Sequence, residues 1–407
     1  MVLMSNATKI IPACVDRPSA WDTLWVRIIS KNWLRNWPEK TKRSRILGNQ
    51  NKLSHVSAMR IFVGFFLLSM APVLGQEGAA RAKALTRAYD QKFDAWVESV
   101  KDARNKEARV AAWKDRPDSK AYGAAVWKVV RPELNKSWTL EYAAWMMTTT
   151  PEVVVSGKSP QSTPLAMIRK AIKSSHAKSP RVGPYCLALT LFSDPGDMPF
   201  LQQVELQNPD KAVKGAAALG QAILLRKLGD DFRVMKQRLN KLQTAIKSPD
   251  LKIGRTTLQG LVADELYRTT KLSIGAKSPD VRGIDITGDV FKLSDYQGKV
   301  VVFVFWTSWM PNADETLAFL NKLHEEAKGK DLVIIGACQD SLLTLRDYTK
   351  EGKVLFRNFA DFEQEIETTY RVARWPLCYV LDKEGKIRHK GDPGPFVRIS
   401  AMAILGE

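Results

Sequence analysis

Cysteine is scarce in this chain. Its 407 residues hold four, Cys14, Cys186, Cys338 and Cys378, and no two lie close together in sequence. That excludes a disulfide-dense scaffold and any Cys-x-x-Cys motif, whether for zinc or for redox work. Histidine is as sparse: His55, His176, His324 and His389 are far apart, and none has a metal-site spacing to a second ligand. Neither a metal nor another cofactor is indicated. Gly157-Lys158-Ser159 has the end of a phosphate loop, but the loop needs an earlier glycine at 152, where Glu152 stands. The apolar stretch Ile61–Gly75 falls short of the ~20 residues that a membrane-spanning helix needs.

Charge is present in excess but unevenly placed. The net charge is +19. Residues 1–58 carry ten Lys/Arg against three acids, residues 59–270 carry 33 against 20, and residues 271–407 carry 19 against 20. The last third is therefore neutral and everything before it is basic, which divides the chain into at least two parts. A basic helical surface is suited to an anionic envelope polymer or lipid, or is simply well solvated.

Met59-Arg60 followed by Ile61–Gly75 has the form of a signal peptide: a basic start, a short apolar core, and small residues Val73 and Gly75 before Gln76. An uncleaved signal anchor is the alternative, with the basic residues left on the cytoplasmic side. Residues 1–58, with Trp21, Trp25, Trp33 and Trp37 among basic residues, are unusual ahead of such a signal. They read either as an untranslated over-extension before a true start at Met59, or as a functional basic arm. An export signal argues against a nucleic-acid partner.

Residues 77–270 read as an α-helical domain. Leu85, Tyr89, Phe93, Trp96, Val100 and Ala103 recur at three- and four-residue steps along one long amphipathic segment. Leu140–Met147, Tyr185–Phe192, Lys211–Leu228, Phe232–Ile246 and Leu258–Leu266 are further helices. They are separated by Pro/Ser/Gly-rich breaks such as Ser156–Pro164 and Ser193–Pro199. No fixed period proves a repeat.

Residues 271–407 change character. Val300-Val301-Val302-Phe303-Val304-Phe305-Trp306 is a β-branched and aromatic run suited to a strand covered on both faces. It leads to Thr307-Ser308-Trp309-Met310-Pro311-Asn312-Ala313, with Pro311 placed for a first helical position and Asp314 and Glu315 in a first turn. A hairpin at Gly283–Leu293 turns at Thr287-Gly288-Asp289. A helix to about Lys328 places Leu317, Leu320 and His324 on one face. Then follow a buried strand at Leu332–Cys338, a helix at Leu342–Glu351, a strand at Leu377–Asp382 and an edge strand at Lys386–Gly391.

Together with Leu293–Lys299, these pieces resemble the thioredoxin-like redoxins of bacterial envelopes, the TlpA type within the AhpC/TSA-redoxin superfamily. The resemblance implies an α/β thioredoxin-like fold after the helical domain, so an α+β chain of two parts. It also implies that Pro376, after Arg374-Trp375, is a cis-proline beside the active-site turn. Members of this family carry Trp-Cys-x-x-Cys where this chain has Trp309-Met310-Pro311-Asn312-Ala313. The related Thr-x-x-Cys pattern of peroxiredoxins fares no better, because Thr307 again leads to Met310. A thioether has no proton to lose, and Ala313 cannot resolve a mixed disulfide.

The leading expectation is therefore an exported protein without thiol–disulfide chemistry, periplasmic, envelope-bound or secreted. It would bind or scaffold a polypeptide or envelope protein through a groove lined by Trp306, Thr307, Trp309, Met310, Trp375 and Pro376. The rival is a thiol oxidoreductase acting through Cys378 or a partner's thiols. Cys338 and Cys378 would lie on either side of the Val300–Trp306 strand, two strand spacings (~9–10 Å) apart and beyond bridging distance. If the signal is cleaved, protein recovered from its native host should begin near Gln76 on N-terminal sequencing. Intact cytoplasmic protein starting at Met1 would reject both the signal and the late start.

Overall fold

The structure is a computed structural model, and the residues described are 74–102, 112, 114–254, 256–310 and 312–406. The basic extension 1–58 and the signal-like segment 59–75 lie outside them, apart from Leu74 and Gly75, which open the first helix. Among the described residues, no helix is long and apolar enough to cross a membrane.

Residues 74–271 form helices α1 (Leu74–Asp102), α2 (Ser119–Val130), α3 (Thr139–Thr149), α4 (Pro151–Val154), α5 (Pro164–Ser175), α6 (Gly183–Leu189), α7 (Met198–Gln207), α8 (Lys211–Arg226), α9 (Phe232–Ile246) and α10 (Leu258–Lys271). A two-residue ladder that the sequence did not suggest, β1 (Lys252–Ile253) with β2 (Thr256–Thr257), sits before α10. The periodic stripe on α1 is a packing face: Tyr89, Phe93 and Trp96 are buried against Tyr122 and Trp145. Helix α8 is the axis of the domain. Asp210 caps it by accepting from the Ala212 and Val213 amides, and its small residues let neighbouring helices close in. At Gly215 an added Cβ would stand 2.0 Å from Ser248 Oγ, so only glycine fits that approach.

The remainder is built from β3 (Arg282–Ile284), β4 (Val290–Lys292), β5 (Val300–Trp306), α11 (Ala313–Ala327), β6 (Leu332–Cys338), α12 (Leu342–Lys350), β7 (Arg357–Ala360), α13 (Glu365–Thr369), β8 (Leu377–Leu381), β9 (Ile387–Gly391) and α14 (Pro395–Leu405). Five strands form one sheet in the order β7-β6-β5-β8-β9. β5 runs parallel to β6 and antiparallel to β8. Every residue of β5 is buried. Val300, Val302, Val304 and Trp306 pack toward α11 and α14, while Val301, Phe303 and Phe305 pack toward α13 and Phe291 of the β3–β4 hairpin. The period of two thus fills two cores from one strand.

The two parts are joined through charge. Asp230, in the turn between α8 and α9, accepts from Arg238 Nη1 at 2.6 Å, from Lys390 Nζ at 2.8 Å and from the Ile274 amide at 3.1 Å. Asp264 on α10 accepts from Arg268 Nε at 2.9 Å and from Arg371 Nε at 2.7 Å. Arg238 is wholly buried and also donates to Thr269 Oγ1 at 2.9 Å. Arg371 has a positive φ of 51° and lays its guanidinium over Tyr267.

Burial opposes the charge on Asp230, but the Lys390 hydrogen bond and charge, the Ile274 amide and Arg238 hold its carboxyl below the ordinary range. Asp230→Ala strips the buried Arg238 of a partner and should cost about 3–5 kcal/mol near neutral pH, read from urea unfolding. A group held below its unfolded value stabilises above that value and loses the effect as pH falls. The gap between the natural chain and the variant should therefore shrink below about pH 4.

Candidate functional site

The exit of β5 is held by side-chain hydrogen bonds to Asn358 of β7 and to Asp340 beyond β6. Trp306 is wholly buried, and its indole donates to Asn358 Oδ1 at 2.7 Å. That bond is possible because residue 336, opposite Asn358 in the sheet, is glycine. A Cβ at Gly336 would lie 1.7 Å from Asn358 Oδ1. The turn that follows is clamped by Asp340, just beyond β6. Its carboxylate accepts from Thr307 Oγ1 at 3.0 Å and from the Ser308 amide at 2.5 Å. Thr307 is buried beside this clamp.

Asn312 has φ 53°, in the left-handed region that asparagine tolerates, and α11 begins at Ala313. The helix therefore starts two residues later than the proline suggested, and Pro311 itself lies outside the described residues. Asp314 and Glu315 occupy its first turn, as expected. Met310 is only 4% exposed and packs in the same core as Leu317 and Trp306.

On the other side, the Trp375–Pro376 peptide bond is cis. The Trp375 ring meets Trp309 edge to face, with centroids 5.2 Å apart. Its Nε1–H donates to Glu367 Oε1 at 2.6 Å. Trp309, Trp375 and Pro376 are partly exposed, as is Ser308. Exposed Arg374 pairs with Asp392 at 2.6 Å.

This corrects the expected groove. Trp306, Thr307 and Met310 face inward and support the turn, while Trp309, Trp375 and Pro376 stay partly exposed. Trp306 takes the core side because the strand alternation of β5 runs to its last residue.

Cys378 is corrected more sharply. It is wholly buried, opposite Val304 in β5, and burial pushes its thiol far above the ordinary range. Cys338 is equally buried, with burial and the neighbouring Asp340 raising its thiol. Cys186 sits in the helical core, raised likewise by burial. A nucleophile must be a thiolate within reach of its substrate, and burial opposes both conditions at all three.

Of the histidines in the described residues, His176 is buried with its ring nitrogen on the Leu134 carbonyl, and burial lowers His324 and His389. No group of three His, Cys, Asp or Glu side chains among the described residues could hold a metal ion.

The sequence reading missed the acids behind the turn. Asp340 follows a strand end that was legible, but nothing in Gln339-Asp340-Ser341 shows which backbone it will reach. Asp361 precedes the short helix α13 and Glu367 lies within it, and that helix carries no periodic signal. Asp361 accepts from the Ile366 and Glu367 amides at 3.0 and 2.8 Å, yet burial raises its carboxyl to about 6. Glu367 is raised well above its ordinary value, chiefly by burial.

Residues 274–390 match the AhpC/TSA family. The thiol-disulfide oxidoreductase ResA of Bacillus anthracis is 29% identical over 136 residues, 33% of this chain and 76% of that protein. The thioredoxin-like protein YneN of Bacillus subtilis (strain 168) is 25% identical over 139 residues, 32% of this chain and 81% of that protein. Among solved structures, the thioredoxin domain of a thiol-disulfide oxidoreductase from Bacteroides vulgatus is 24% identical. It aligns with 33% of this chain and 99% of its own, at a TM-score of 0.31. With its β7-β6-β5-β8-β9 sheet and the strand, turn and helix of residues 300–327, the C-terminal part of this chain is a thioredoxin-like redoxin domain of the AhpC/TSA family, without the Cys-x-x-Cys.

Proposed function

We propose that this is an exported protein whose redoxin domain binds extended polypeptide, or scaffolds an envelope partner, without thiol–disulfide exchange. The observation that carries the reading is the pairing of two features at one turn. Positions 310 and 313 hold Met and Ala, and beside them Trp309, Trp375 and Pro376 present a partly exposed aromatic surface. Such a surface gives contact area at low entropic cost, as recognition sites require. Export is supported by the signal-like Met59–Gly75 segment. The names of the relatives favour redox chemistry, but exchange needs a thiolate and a resolving thiol. The burial of Cys338 and Cys378 leaves no described thiol at the surface of the redoxin domain to supply them.

Two measurements test the chemistry. Purified protein should reduce insulin no faster than the buffer thiol alone. Cys186, Cys338 and Cys378 should react with a chromogenic disulfide only after denaturation. Turnover that disappears in Cys378→Ser would overturn the redox-inactive reading.

A graft tests the scaffold. Met310→Cys with Ala313→Cys places two thiols at the N-terminus of α11. The helix end should hold the first below the ~8.5 of free cysteine, although Asp314 and Glu315 oppose part of that shift. Mild oxidation should give an intramolecular bond, visible by mass spectrometry, with modest exchange activity. Two thiols that stay unpaired in folded protein would mean that the turn has diverged as well as its sulfurs.

A further inference from the structure

A buried carboxyl stands directly behind the partly exposed indole of Trp375. Glu367 is 4% exposed, and its Oε1 accepts the Trp375 Nε1–H at 2.6 Å. Tryptophan has one side-chain donor, so this bond takes up the whole hydrogen-bonding capacity of Trp375. Glu367 is itself held on both sides. Its amide donates to Asp361 Oδ2 at 2.8 Å, and its carbonyl accepts from the Val372 amide at 3.0 Å. One residue before Val372, Arg371 is tied to Asp264 of the helical domain at 2.7 Å. Between them, Tyr370 is wholly buried against Phe303 and Phe305. A five-residue helix has little stability of its own, so these anchors are what fix the carboxyl in place.

We infer that Glu367 is the positioning residue of the groove: it fixes the Trp375 indole, Trp375 sets Trp309, and the polypeptide seat depends on a side chain that does not touch the occupant. The inference rests on the groove-binding reading above. What Glu367 supplies is an acceptor oxygen. The charges acting on it are those of Asp361 and Asp340, both negative, so a neutral acceptor serves as well as a carboxylate. Glutamine keeps that oxygen and leucine removes it at similar size. With leucine, the half-buried indole N–H loses its partner and the ring is free to rotate off Trp309.

The test uses the full chain with Glu367→Gln and Glu367→Leu. The first readout is the Trp375 indole resonance in a proton–nitrogen spectrum, assigned by its disappearance in Trp375→Phe. The second is binding of fluorescein-labelled, carboxymethylated insulin B chain, an unfolded polypeptide without free thiols. Glu367→Gln should keep the resonance near its natural position and the dissociation constant within about twofold. Glu367→Leu should move the resonance upfield and weaken binding about fivefold, the scale of one lost hydrogen bond, with the far-ultraviolet dichroism unchanged.

An unmoved resonance in Glu367→Leu overturns the proposal, as does a Glu367→Gln variant as damaged as the leucine one. If the natural chain does not bind the probe while the resonance behaves as stated, the groove reading has failed and the positioning has not. Should Glu367→Leu not fold, Trp375→Phe removes the same bond from the donor side. Full binding by that variant rejects the proposal.

Discussion

The structure of the redoxin domain depends on the double burial of β5. A strand covered on both faces cannot slip by one residue without turning Val302 and Val304 into the space that Phe303 and Phe305 fill. Its register is pinned by ladders to β6 on one side and β8 on the other. The point at which the chain leaves the sheet is therefore fixed before any residue of the turn is considered. Asp340 then adds two hydrogen bonds to the first two residues of that turn, from a strand end that is itself fixed. This is the reason the turn can keep its frame after losing the sulfurs that the family employs. The frame comes from the sheet and from Asp340, and neither needs a thiol.

The second constraint is electrostatic. The side chains of Asp230, Arg238, Asp264 and Glu265 are all buried, and Arg268, Arg371 and Lys390 reach them from the two parts of the chain. Burying charge carries a desolvation penalty that the pairing offsets only when geometry is good. Such a junction adds little net stability over an apolar one, but it penalises every misdocked arrangement, since each would leave a buried charge without its partner. Arg371 gives this a local consequence. It lies four residues from Glu367 and four from Trp375, so the helical domain grips the segment that carries one wall of the site. The helical part and the redoxin domain thus share an ion pair beside the segment that carries Trp375.

Much of this fold was legible in the sequence, and the parts that were not share a physical cause. Strongly patterned segments showed themselves: the stripe of α1, the helix at Lys211–Leu228, the continuous apolar run of β5, the Thr287-Gly288-Asp289 turn. Strand β7 and helix α13 have four and five residues, and α14 carries Phe396 and Ile399 outward, blurring its period. Elements of that size are held by neighbours, and their own residues say little. The site shows the same division. The turn could be found by position, but which of its side chains face outward could not. Trp306 and Trp309 are equally aromatic and three residues apart, yet one ends a buried strand and the other lies in a turn. The acids Asp340 and Glu367 became visible only when tertiary contacts brought them to the turn.

Burial at position 310 explains how the fold is kept with methionine there. An attacking thiol must be exposed enough to meet a second sulfur, so its place must be open to solvent. Here Met310 closes it, with an unbranched side chain that adapts to the space between Trp306 and α11. It adds apolar contact at the end of β5. Ala313, opening α11, is a strong helix former that removes the second thiol without cost to the helix. Both residues therefore serve the packing of the turn, and neither supplies a thiol. Rigidity is the property a binding surface built from Trp309, Trp375 and Pro376 would use, because indoles already held in place lose less entropy when a partner arrives.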